Sequence, residues 1–199
     1  MLRGDAKTLA TVSTLVALGA ATRIVLGRVA LASPVLLYGL LIKIGLTETL
    51  AFVSGILFGP IHGFITGMLT IIVSDLFMSP GPWTPFIAAI IGIVGFGGGL
   101  LKILGVRSSR RIMIGSAILL TFVSEFLQNL WFALFFGIPM VVALVAGIKS
   151  TVSALINNVV LFSTLGPRAI RIIHDLVPPD NQQRDSNVRS GSEPTSSRP

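Results

Sequence analysis

The stretch TFVSEFLQNLWF, residues Thr121 to Phe132, sets a carboxylate and two carboxamides inside an apolar run. Glu125, Gln128 and Asn129 are three and four residues apart, so a helix carries them on one face. Burying such groups against hydrocarbon is costly, so they belong on an interior face or a cavity wall. A second polar series follows in LVAGIKSTVSALINN, with Lys149, Ser150, Ser153, Asn157 and Asn158. Lys149 lies roughly 10 Å inside the outer end of its run at the helical rise. Two roles are open to it: an internal ion pair with Glu125, or direct contact with a ligand. Asn157 and Asn158 sit nearer the other end, where helix–helix hydrogen bonding is their expected role.

A third group of polar residues surrounds Asp75 and the segment SPGPWTP that follows. An acid at a helix C-terminus is electrostatically unfavourable, so Asp75 needs a compensating role: bracing the loop, or facing a polar cavity. The segment has three prolines and a glycine, so it loses little entropy on ordering. Trp83 offers a rigid face and Thr84 a hydroxyl; the pair reads as a ligand lid or as an interfacial anchor.

This is recognition chemistry rather than catalysis. The chain has no cysteine and two histidines, which makes a metal centre hard to assemble, and no cofactor is expected. It contains no GxxxxGK[ST] phosphate loop, no HExxH and no GxSxG. No nucleophile and base stand at a workable spacing, so the chain is not expected to be an enzyme.

The elements that must position these residues are apolar helices. Hydrophobic residues make up 52% of the 199 positions and charged ones 12%, with a mean hydropathy of +0.87. A soluble domain carries about 25% charged residues, so the matching solvent is lipid. The net charge of +7 does not point to nucleic acid, because the basic residues are spread between apolar runs instead of forming one patch. Arg3 and Lys7 before an apolar run resemble the start of a signal peptide, but five more apolar runs follow and cleavage is not expected.

The runs are about Thr8–Leu26, Pro34–Gly59, Ile61–Phe77, Phe86–Leu104, Ile112–Phe136 and Met140–Leu165. In the second, Pro34, Gly39 and Gly45 favour a partly extended outer segment to about Ile44 and then a short helix. The fold class expected is an all-α integral membrane protein with six transmembrane helices. Residues 1–177 form its one domain, and residues 178–199, rich in Ser, Pro and charge, form a disordered tail. Arg3, Lys7, Lys102, Arg107, Arg110, Arg111, Arg168 and Arg171 fall on one side of such a bundle and set both termini in the cytoplasm. Arg23 and Arg28 conflict with that count unless they snorkel to the outer interface.

Small residues mark the close helix contacts. Ser13, Ala17 and Ala21 form an i, i+4 stripe on the first helix, which serves either packing within the chain or docking of a second membrane protein. Gly55, Gly59, Gly63 and Gly67 flank Pro60 and predict a tight helical hairpin joined at its cytoplasmic end. His62 at that turn reads as an interfacial residue.

Together these features resemble the substrate-binding (S) component of energy-coupling factor transporters. The most specific part is the G-x-x-x-G-P-x-x-G-x-x-x-G hairpin with the Asp75 end and the GPWTP loop, Gly55 to Pro85; the Ala17-x-x-x-Ala21 stripe and the helix count extend it over Thr8 to Arg171. The resemblance implies a plasma-membrane subunit that binds a vitamin or other micronutrient from outside. It topples while docked on a coupling transmembrane subunit driven by two cytoplasmic ATPases. On that reading Trp83, Thr84, Glu125, Gln128, Asn129 and Lys149 are candidate substrate contacts, Asp75 braces the loop, and Ser13, Ala17 and Ala21 form the docking face. An ion-coupled carrier using Glu125 and Lys149, and a structural or assembly protein without a ligand, are the alternatives.

Overall fold

In a computed structural model, which describes residues 2–32, 45–105 and 109–176, the chain is helical throughout its ordered elements. The helices are α1 (Leu2–Ala32), α2 (Leu46–Phe58), α3 (Pro60–Met78), α4 (Thr84–Ile103), α5 (Arg110–Phe136) and α6 (Met140–Leu176). Ala6–Val29, Pro60–Met78, Thr84–Ile103, Arg110–Phe136 and Met140–Ile172 are each long and apolar enough to cross a bilayer. α2, at 13 residues, is the short helix expected after Gly45 and spans roughly 20 Å. The extended segment expected before it and the tail after residue 177 lie outside the described residues. α6 runs on past the expected end at Leu165, through Pro167, to Leu176.

The outer face is apolar, unlike that of a soluble protein, and hydroxyls are buried among the apolar residues of the interior. Leu9, Ile61, Leu76, Leu104, Leu134 and Val141 are among the exposed side chains, while Thr49, Ser54, Thr66, Thr70 and Ser74 are buried. The multi-pass, all-α membrane architecture follows, with lipid as the solvent for the outer face. The buried hydroxyls are satisfied locally: Thr49 Oγ1 donates to Gly45 O, Thr66 Oγ1 to His62 O and Thr70 Oγ1 to Thr66 O, each at 2.7 Å. Ser54 Oγ and Thr66 Oγ1, 2.7 Å apart, join α2 to α3.

The closest packing is a glycine seam shared by α2, α3 and α4. A Cβ on Gly55 would stand 2.1 Å from Gly95 O, one on Gly63 2.2 Å from the same oxygen, and one on Gly67 2.5 Å from Ile91 O. The expected hairpin of α2 and α3 is therefore completed by the glycine-rich face of α4. Its link is a single residue, Gly59, at φ 106°, followed by Pro60 in the first turn of α3. Lys102 donates to Leu57 O, placing a cation on the carbonyl end of α2.

α1 packs across α2 and α3, with Gly19 against Thr70 and Leu50. Around the seam, Phe52, Val94, Met113, Ala117 and Phe162 form a core joining α2 and α4 to α5 and α6, with the Phe52 and Phe162 rings 4.6 Å apart. Asn158, buried on α6, donates through Nδ2 to Thr121 Oγ1 at 2.9 Å, an inter-helix bond of the kind expected for it, whereas Asn157 bonds back to Ser153 O. Thr121→Val is expected to lower stability by roughly 0.6–1.7 kcal/mol, from the average to the maximum measured for inter-helix hydrogen bonds in lipid. Reversible unfolding in mixed micelles measures it.

Candidate functional site

Two polar assemblies lie in the half of the bundle nearer the α3–α4 and α5–α6 connections. The first is centred on Asp75. Its carboxylate is buried, and Arg23 of α1 forms an ion pair with its Oδ1. Arg23 also donates to Ser74 Oγ at 2.6 Å, and Arg28, about one and a half turns further on, donates to Phe77 O at 3.2 Å. Both arginines thus serve the C-terminal end of α3, where a cation is favoured. That accounts for two basic residues that conflict with the charge pattern of the other loops.

The second oxygen of Asp75 holds the loop. Thr84 Oγ1 donates to Asp75 Oδ2 at 2.6 Å and accepts from Gly81 N at 3.1 Å. The Thr84 amide donates to Gly81 O at 3.0 Å, closing a turn at the start of α4. Trp83 folds back over Gly81, where any side chain would meet its ring. Asp75, Thr84 and Trp83 therefore form one braced unit that fixes the entry of α4.

The second assembly is a cavity of about 200 Å³ between α4, α5 and α6. Glu125, Gln128 and Asn129 line it from α5, as their spacing predicts, together with Trp131 and Phe132. α4 contributes Phe86, Ile87 and Ile90, and α6 contributes Ser150. Glu125 lies roughly 16 Å along α5 from Phe136, and Ser150 roughly 15 Å along α6 from Met140, so they share a level. Ser150 Oγ donates to Glu125 Oε2 at 3.2 Å. Asn129 Nδ2 donates to Glu125 O at 2.8 Å, and its amide lies against Gly147, where a Cβ would stand 2.3 Å from Oδ1. Nearer the loops, Phe86 meets Trp131 at 5.5 Å between ring centroids, and Trp131 stacks on Phe135 at 5.0 Å.

Of the six expected substrate contacts, the structure brings Glu125, Gln128 and Asn129 to this cavity. Trp83 and Thr84 belong to the braced loop one turn away, and Lys149 is exposed on α6 beside the lining residue Ser150. Phe86, Ile87, Ile90, Trp131, Phe132 and Ser150 complete the lining and were not among the expected contacts, although Ser150 belongs to the polar series read on α6. Trp131 could have been found from its place three residues after Gln128.

No known family, characterised protein or solved structure matches this chain. Among the described residues no group of three or more His, Asp or Glu side chains is placed to hold a metal ion. Ser13, Ala17 and Ala21 all lie exposed on α1, while Val12, Leu15, Val16 and Ala20 are buried against the chain's other helices. Of the two roles open to the stripe, packing within the chain is made by these other residues.

Proposed function

We propose that this protein is the substrate-capture subunit of an energy-coupling factor importer in the cell membrane. It binds a vitamin or related micronutrient and hands it over by toppling against a coupling transmembrane subunit, with ATP hydrolysed on separate subunits. The observation that carries the proposal is the cavity of α4, α5 and α6, which sets Glu125, Gln128 and Asn129 beneath the aromatic pair Phe86 and Trp131. A mostly apolar pocket with a few convergent polar groups is the usual form of a small-molecule site. The exposed small-residue stripe of α1 supports the docking half of the reading, since small side chains let a partner helix approach closely. With both termini cytoplasmic, the cavity lies towards the outer face.

Native mass spectrometry of the full chain, purified in mild detergent from a vitamin-rich culture, tests the capture role. A stoichiometric small molecule is expected; an empty protein that also fails to bind a vitamin panel overturns it. Docking is tested separately. Ala17→Trp is expected to abolish uptake while leaving the small-molecule affinity within about twofold, because Ala17 is remote from the cavity. Unchanged uptake overturns the docking face. An ion-coupled carrier would instead show uptake without any ATPase partner, lost on adding an uncoupler and in Glu125→Gln.

A further inference from the structure

α5 and α6 run antiparallel, so the start of one lies beside the end of the other. A Cβ on Gly166 would stand 3.8 Å from Met113 Sδ, and Ile170 packs on the core cluster that holds Met113. Gly166 and Met113 therefore share a level. Counting outwards from it, Arg110 and Arg111 lie roughly 3–5 Å further along α5, and Arg168 and Arg171 roughly 3–8 Å further along α6. Packed helix axes stand about 8–10 Å apart, so four guanidinium groups gather at one corner of the bundle. All four arginines are exposed. Arg168 donates to Thr164 O at 3.4 Å, a contact that engages one of its five N–H groups.

Among the described residues no acidic side chain forms an ion pair with any of the four. Even with Asp175, one turn beyond Arg171, counted against them, the corner is net positive. Arg110 and Arg111 also stand in the first turn of α5, where the helix dipole disfavours cations. An anion at the corner offsets both terms, and the planar guanidinium fork matches phosphate oxygens.

Depth and surroundings select the anion. The apolar span of α5 begins at Arg110 itself, and that of α6 ends at Ile172. The arginines thus stand at the edge of the hydrocarbon layer, where lipid headgroups lie. Towards the middle of the bilayer the wall is apolar, with Ile118, Leu119 and Leu165 exposed. Gly115, one turn from Arg111, has nothing within 4 Å of a Cβ, which leaves that wall recessed. A phospholipid uses both surfaces at once, its phosphate on the arginines and its acyl chains on the wall. A soluble acidic partner would use only the first.

We propose that this corner retains an anionic phospholipid, its phosphate held between Arg110 and Arg111 of α5 and Arg168 and Arg171 of α6.

The test places the full chain in nanodiscs of phosphatidylcholine and phosphatidylglycerol in equal parts, and native mass spectrometry identifies the lipids that leave with the protein. Both leaflets share one composition, so orientation does not enter. Phosphatidylglycerol is expected to be retained about fivefold more often than phosphatidylcholine. Arg110→Gln/Arg111→Gln and Arg168→Gln/Arg171→Gln are each expected to bring the ratio below about twofold. Lys7→Gln, exposed on α1, which packs on α2 and α3, is expected to keep it. Equal retention of the two lipids by the wild-type chain overturns the proposal in favour of a soluble acidic partner. A preference that survives in both folded double variants, or that falls equally in Lys7→Gln, overturns it as well. Displacement of the lipid by ammonium phosphate, but not by ammonium acetate of the same ionic strength, assigns the corner to free phosphate and removes the lipid. Should neither double variant fold, the wild-type ratio and the Lys7→Gln comparison decide.

Discussion

Gly95→Val is expected to leave almost no folded protein. A Cβ at residue 95 would stand 2.1 Å from Gly63 O and 3.1 Å from Ala51 O, both fixed backbone atoms of neighbouring helices. Overpacking costs about 1–3 kcal/mol where side chains can shift. Here helices must separate, and the loss compares with the whole stability of a typical domain, about 5–15 kcal/mol. Size-exclusion chromatography of a fluorescent fusion should show the monodisperse peak replaced by aggregate. Gly115→Ala is the control: nothing lies within 4 Å of a Cβ there, so the peak and melting temperature should be retained. A monodisperse, wild-type-like Gly95→Val protein would show that the seam is not a determinant of the fold.

Arg23→Gln carries the second large effect. Asp75 is buried, and removing its partner leaves a charge without compensation, which costs about 3–5 kcal/mol in buried pairs. Arg23 is partly exposed, so the lower end of that range is expected. The double variant Arg23→Gln/Asp75→Asn should recover part of the loss, because it removes the buried charge as well. Unfolding measured on both single variants and the double gives the coupling directly. A double variant that loses the simple sum of the two single effects would show that the pair is not coupled. Since Thr84 is bonded to Asp75, a looser start of α4 is also expected in Asp75→Asn, read as faster hydrogen exchange at residues 84–87.

The helices were legible because their signal is local. Apolar runs of bilayer length, a proline at residue 60 and a break at SPGPWTP need no knowledge of the partners. The cluster Glu125, Gln128 and Asn129 was legible for the same reason, since spacing along one helix fixes a shared face. The pairing of Arg23 with Asp75 was not, because the two are separated by 52 residues and meet only once α1 lies against α3. Lys149 and Ser150 illustrate a subtler limit. They are neighbours in sequence, and which one faces the cavity depends on the rotation of α6 about its axis. That rotation is set by contacts such as Asn158 with Thr121 and Phe162 with Phe52. Trp83 and Trp131 compare in the same way: the loop residue has the conspicuous prolines, and the helix residue has the position.

The one-residue joint at Gly59 bears on how the chain enters the membrane. α2, at roughly 20 Å, falls short of the roughly 30 Å hydrocarbon layer, and its buried Ser54 hydroxyl is paired with Thr66 of α3. With no slack at the joint, it cannot be threaded independently and later brought to α3. The two helices are expected to insert as one hairpin, and this half of the protein to reach its final packing only once α4 is in place, since its glycines complete the seam.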